Sequence, residues 1–131
     1  MLSGTPSLEC KHCVAELFKA DPDRLNDEAF IRQSLVNAAE LAGATLLDIK
    51  THAFEPQGVT GFALLAESHI SIHTWPEHSF AAVDAFTCGS TTNPELACIY
   101  LASAFNSSGH VINFIERSTP PLLTKSNVYQ M

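Results

Sequence analysis

Basic residues are scarce in this chain: seven Lys and Arg stand against 14 Asp and Glu over 131 positions, a formal charge of −7 with histidine neutral. That balance argues against a nucleic-acid partner, because phosphate backbones are met by a basic face; a small cationic substrate suits it better. Long apolar runs are also lacking, and none reaches the roughly 18 residues that a membrane span needs. The opening "MLSGTPSLECKHC" has no basic start followed by an apolar stretch, so no signal peptide and a cytoplasmic setting are expected. Internal repeats and low-complexity segments are absent, which sets solenoids and disordered tracts aside. Cysteine is limited to Cys10, Cys13, Cys88 and Cys98, all expected to be thiols in a reducing cytoplasm. "CKHC" has the spacing of a zinc or redox pair, yet zinc needs four ligands and no second pair follows. No metal is expected, and the two cysteines read as small apolar residues at the start of a strand.

What remains is the pattern of one compact unit. A chain of this length supports a single core, and association of copies is a natural way for it to bury more surface. Residues 11–20, "KHCVAELFKA", alternate as a strand. Residues 21–44 read as one helix, with Leu25, Phe30, Leu35, Val36 and Ala39 near the 3.6 period, Asn26 or Asp27 as cap and Gly43 as stop. Strands follow over 45–56, 58–75 and 79–89. A second helix over 93–109 opens with Asn93 as cap and Pro94 at its first position, and a strand over 110–118 closes the pattern. This order implies an α+β fold, a two-layer α/β sandwich with a largely antiparallel sheet and two helices on one face. The other face is left bare, so a homodimer is expected to cover it. Residues 119–131, with Pro120 and Pro121, are expected to form a flexible tail.

Reactive side chains crowd into one run, "AESHISIHTWPEHSFAAVDAFTCG", residues 66–89. If its two strands form a hairpin turning within "TWPEHS", opposed residue numbers total about 154 to 156, which puts Ser68 across from Phe86 to Cys88. A serine-hydrolase reading fits poorly, because such a nucleophile sits on a Gly-flanked elbow and Ser68 lies between Glu67 and His69. Cys88 with His73 as base is a thiol alternative. His69 and His73 are four apart, hence about 13 Å along a strand, too far to share one zinc ion.

The long motif "ESHISIHTWPE" followed by "AAVDAFTCG" resembles the self-processing segment of the prokaryotic S-adenosylmethionine decarboxylases, which are pyruvoyl-dependent enzymes. "VAELFKAD", "AAELAGAT" and "HAFEPQGVTG" also fall where that family has corresponding stretches, so the resemblance spans roughly residues 10–115. It implies self-cleavage between Glu67 and Ser68 into chains 1–67 and 68–131. Ser68 would become a pyruvoyl group, the covalent cofactor, which forms a Schiff base with S-adenosylmethionine and drives its decarboxylation to the aminopropyl donor for spermidine. By the same resemblance His73 is the processing base and Cys88, a thiol protonated at neutral pH, the proton donor. Thr60 stands where the family generally has a serine; it keeps the assisting hydroxyl but adds a methyl that stiffens χ1. Phe54 resembles the aromatic that stacks on the adenine, Glu77 a carboxylate for the ribose hydroxyls, and Trp75 is either packing or pocket wall.

Two alternatives stand beside this reading: an arginine or ornithine decarboxylase with the same pyruvoyl chemistry, and a binding module that never cleaves. A geometric expectation also follows. Ser68 and His73 are five residues apart, so on a regular strand they point to opposite faces. Shared work on one peptide bond therefore calls for a kink or bulge between them.

Overall fold

The computed structural model describes residues 8–66 and 68–119. Among these residues six strands form one sheet: β1 (Glu9–Phe18), β2 (Leu46–Ala53), β3 (Val59–Leu65), β4 (Ser68–Trp75), β5 (Phe80–Cys88) and β6 (Gly109–Ser118). Their order is β2-β3-β4-β5-β1-β6, and every neighbouring pair is antiparallel. Helix α1 (Pro22–Leu25) precedes α2 (Glu28–Leu41), and α3 (Pro94–Ala104) lies between β5 and β6. The α+β two-layer arrangement expected from the element order is the one observed. Among the described residues no helix is long and apolar enough to cross a membrane.

The sequence signals act where they were read. Asp27 caps α2 by accepting from the Phe30 amide, and Asn93 caps α3 by accepting from the Glu95 amide. Two boundaries differ. The stretch 21–44 holds two helices, because Asp21 caps a first turn and the chain leaves helical geometry at Asn26 before Asp27 restarts it. The stretch 58–75 holds two strands, because the chain reverses between Leu65 and Ser68, which pair with each other. The sequence there carries no Gly, Pro, Asn or Asp to mark a turn, so its alternation reads straight through. The expected tail lies outside the described residues from position 120 onward.

One core fills the space between sheet and helices. Helix α2 packs on β2 and β3, and α3 on β1 and β5. Leu17, Leu35, Ile70, Ile72, Leu101 and Phe105 are completely buried there. The aligned positions Gly61, Ile72, Val83 and Ala15 run across four strands on this covered face. Thr74 links the elements from within: its hydroxyl donates to the Leu25 carbonyl at 2.7 Å and accepts from the Val59 amide at 2.8 Å.

Gly61 sets how closely α2 approaches the sheet. A Cβ there would lie 3.0 Å from Leu35 Cδ1 and 3.2 Å from both Ile31 Cγ2 and Ile72 Cγ2. Gly61→Val overfills this contact and is expected to lower stability by about 1–3 kcal/mol. Urea unfolding checks it: the midpoint falls while the slope stays that of the parent.

Candidate active site

Side chains alternate across each strand, so the face away from the helices carries the other register rows. Thr60 lies opposite His73, and His73 opposite Ala82; His69 lies opposite Phe86, and Phe86 opposite His12. Along β4, from His69 opposite Phe86 to Trp75 opposite Phe80, opposed numbers total 155. This lies within the range expected from the sequence, and one further step puts Ser68 opposite Thr87.

Ser68 and Cys88, first residue of β4 and last of β5, line one cavity together with Gly43, Thr45, Thr91 and Thr92. Two loops are clasped there. Gly43 ends α2 with φ +74, and a Cβ on it would meet the Thr91 carbonyl oxygen at 2.9 Å, so only glycine combines this conformation with this approach. The Asn93 amide donates to the Ala42 carbonyl at 2.9 Å, and the Thr92 hydroxyl donates to the Cys88 carbonyl at 3.3 Å. Beside the cavity, Thr87 Oγ1 is fully buried and, among the described residues, the one buried side-chain oxygen or nitrogen without a hydrogen-bond partner. Nothing in the sequence marked it beyond its place next to Cys88.

The structure corrects the expectation of four thiols. Cys10 and Cys88 are joined by a disulfide, and only Cys13 and Cys98 are free. The pairing register puts Cys10 directly opposite Cys88, a contact across 78 residues of sequence. "CKHC" does not act as a unit, because a spacing of three on a strand sends Cys10 and Cys13 to opposite faces. Cys13 and Cys98 lie buried on the helix side. Burial raises the Cys13 thiol, with the charge of Glu95 adding to it, and burial pushes Cys98 up to about 12.

His73 stands at the far end of β4. Its Nδ1 is 3.1 Å from Thr60 Oγ1, and the pair is open to solvent. The expected kink is not there: pairing of β4 with β3 and with β5 proceeds without a register shift. His73 is therefore on the bare face, about 17 Å up the strand from Ser68 at ~3.3 Å per residue. Phe54, Trp75 and Glu77 belong to the His73 end. Phe54 follows β2 and is 50% exposed, which excludes a core role; its ring meets His52 edge-on at 4.6 Å. Trp75 is 40% exposed against Phe80, and Glu77 is exposed in the 3₁₀ turn Pro76–His78. The site residues expected from the sequence thus fall into two groups at opposite ends of the sheet. Glu67 lies outside the described residues.

Between these groups the bare face carries a polar cluster that was not foreseen. The Asp84 Oδ2 atom is 2.7 Å from His12 Nε2 and 2.9 Å from His69 Nε2, and Ser71 donates to the other carboxylate oxygen. Burial alone would raise this carboxyl, but the hydrogen bonds from Ser71, His12 and His69, with the charge of His69, hold it below the usual range. His69 stacks on Phe62 at 5.5 Å, and the Arg117 guanidinium lies 5.0 Å over Phe86. The ligand atoms of His12, His69 and Asp84 lie within 4.8 Å of one another, a spacing that a metal ion can bridge. Arg117 Nη1, however, faces His12 Nδ1 at 3.4 Å. Arg117 can only donate, so Nδ1 is the acceptor and Nε2 points its proton toward Asp84, and with Ser71 and His69 the carboxylate is the centre of a hydrogen-bond hub.

A family model described as S-adenosylmethionine decarboxylase matches residues 11–118. The chain belongs to the S-adenosylmethionine decarboxylase family. It is 59% identical over 110 residues to an S-adenosylmethionine decarboxylase proenzyme of Parasynechococcus marenigrum strain WH8102, covering 84% of this chain and 86% of the relative. With the proenzyme of Methanococcus maripaludis it shares 55% identity over 85 residues, 65% of this chain and 70% of that one. The crystal structure of the adenosylmethionine decarboxylase from Aquifex aeolicus VF5 superposes with a TM-score of 0.78 at 33% identity, covering 95% of this chain and all of the other. The arginine or ornithine alternative and the non-catalytic module find no support among these relatives.

The sign of the Asp84 shift gives a test of the hub. A carboxyl held below its unfolded value contributes stability above the ordinary carboxylate range and loses it as pH falls through the folded value. Asp84→Asn is expected to cost about 1.5–3 kcal/mol at neutral pH, the scale of charge-assisted hydrogen bonds. Acid titration of unfolding checks the origin: the gap between parent and variant should narrow toward low pH.

Proposed function

We propose that the chain is a proenzyme that cuts its own backbone between Glu67 and Ser68 and then decarboxylates S-adenosylmethionine with the pyruvoyl group so made. The observation that carries this reading is the shared cavity of Ser68 and Cys88. Ser68 Oγ attacks the Glu67 carbonyl carbon and the peptide becomes an ester. Loss of the Ser68 α-proton expels the Glu67 carboxylate, and hydrolysis of the resulting dehydroalanine releases ammonia and leaves the pyruvoyl. The residues present fit such a group, since its parent serine opens onto a solvent-accessible cavity with the Cys88 sulfur on the wall and an unpartnered hydroxyl, Thr87, beside it. Once formed, the group supplies a carbonyl for the substrate's amine and an electron sink as carbon dioxide leaves. Cys88, when reduced, returns a proton to the substrate carbon.

The processing base needs a second copy. Within one chain Thr60 and His73 lie on the bare face at the far end of β4, whereas Ser68 belongs to the other end. A homodimer stacked through its bare faces, with the strands of one copy reversed on the other, carries the Thr60–His73 pair of each copy toward the Ser68 end of its partner. The same stacking carries Phe54, Trp75 and Glu77 to that cavity to receive the nucleoside. It also covers Phe62, Leu64, Val111 and Ile115, which are between 38% and 49% exposed on one chain.

Intact-mass analysis is the direct test. The purified chain should resolve into residues 1–67 and a pyruvoyl-blocked 68–131; a single uncut species that resists long incubation would count against self-processing. Ser68→Ala should abolish cleavage and activity together. Cys88→Ala should still cleave but lose about 10²–10⁴-fold in turnover, the usual weight of a general acid. Co-expression of Ser68→Ala with His73→Ala tests the shared site. The His73→Ala chain, uncut alone, should be cut in mixed dimers, and a failure to rescue would place the base within its own chain.

A further inference from the structure

We infer that Cys10 and Cys88 form a reversible disulfide that switches the decarboxylase off by removing the proton donor; this rests on Cys88 filling that role. Cys10 lies one residue before the stretch that the family model matches, and no step of the reaction uses it. The fold nevertheless sets it opposite Cys88 across β1 and β5, with the two sulfurs bonded.

The bond closes without rearrangement of the chain. Eight consecutive residue pairs hold β1 against β5, from Cys10 with Cys88 to Leu17 with Ala81, so the two cysteines are neighbours whether oxidised or reduced. Oxidation therefore changes the chemistry of the site while the sheet stays paired. Cys88 is reached through the cavity it lines, whereas Cys10 is only 5% exposed. Exchange with an outside disulfide thus takes place at Cys88, and Cys10 is the resolving thiol behind it.

The other two thiols do not compete. Cys13 and Cys98 are fully buried on the opposite face, and exchange proceeds through thiolate, a form that burial disfavours in both. The oxidant is a disulfide, either a small one such as oxidised glutathione or that of a dithiol protein. Cys88 attacks its sulfur as thiolate and releases one thiol; Cys10 then attacks the mixed disulfide and releases the second. Two protons and two electrons leave the enzyme, one S–S bond forms and the oxidant's breaks. In the product Cys88 has no S–H to give, and the sulfur is held on Cys10.

The processed enzyme is incubated with oxidised glutathione or with dithiothreitol, then assayed both for carbon dioxide release and, after denaturation, for thiols by maleimide mass tagging. The expected thiol count is four reduced and two oxidised. The rate should fall by roughly 10²-fold on oxidation, as when a general acid is lost, and return with dithiothreitol. Cys10→Ser, with Cys10→Ala as a second variant, should keep full activity and escape the two-thiol loss. The switch is overturned if four thiols persist under oxidation, if the rate is unchanged with two, or if both Cys10 variants respond like the parent. Full turnover by Cys88→Ala would instead remove the proton-donor role beneath it.

Discussion

Strand β4 is hydrogen-bonded along both edges, to β3 and to β5, with no shift in either register. Because side chains alternate strictly along such a strand, this even pairing decides where each reactive group of the motif can act. Odd and even positions cannot meet. Ile70, Ile72 and Thr74 are committed to the core beneath the helices, and His69, Ser71, His73 and Trp75 to the bare face. Ser68 escapes the division only by being the first residue of the strand, where the sheet ends and the loops around Gly43 and Thr91 open a cavity. Cys88 holds the equivalent place at the end of β5. Chemistry at the two strand ends is thus available to one chain, while His73, deep in the pairing, is available only to whatever faces the sheet.

The bare face has the physical character of a surface meant to be covered. Aromatic and aliphatic side chains surround a carboxylate already supplied with three donors, from Ser71, His12 and His69. Such a hub tolerates removal from water, because the charge keeps its hydrogen bonds when solvent is lost. An isolated Asp84 in the same row would oppose burial. The arrangement therefore reconciles a polar centre with an apolar surround, and it gives the proposed homodimer an interface whose middle is satisfied within each copy.

The fold class, the caps at Asp27 and Asn93 and the β4–β5 hairpin were legible because they are local or nearly so. Alternation, capping residues and a Trp-Pro turn act over a few positions. The reversal before Ser68 was not legible, since Ala66 and Glu67 carry no turn signal and the apolar period runs on across them. The break between α1 and α2 was missed for the related reason that Asn26 and Asp27 fit a helix start as well as an interruption. The exposure of Phe54 was not legible either, because an aromatic at a strand end suits core and surface alike.

The family follows from the residues alone, through a motif long enough to name Ser68, His73 and Cys88 as the residues of interest, and the layer architecture follows from their periodicities. How those residues are distributed depends instead on contacts between distant strands. The bond from Cys10 to Cys88 spans 78 residues and the contact from His12 to Asp84 spans 72. Both depend on β1 inserting between β5 and β6, a strand order that no local pattern encodes. The separation of Ser68 from His73 likewise follows from unbroken pairing on both sides of β4, which a single strand's residues cannot reveal because half of each hydrogen-bonded ladder belongs to its neighbours.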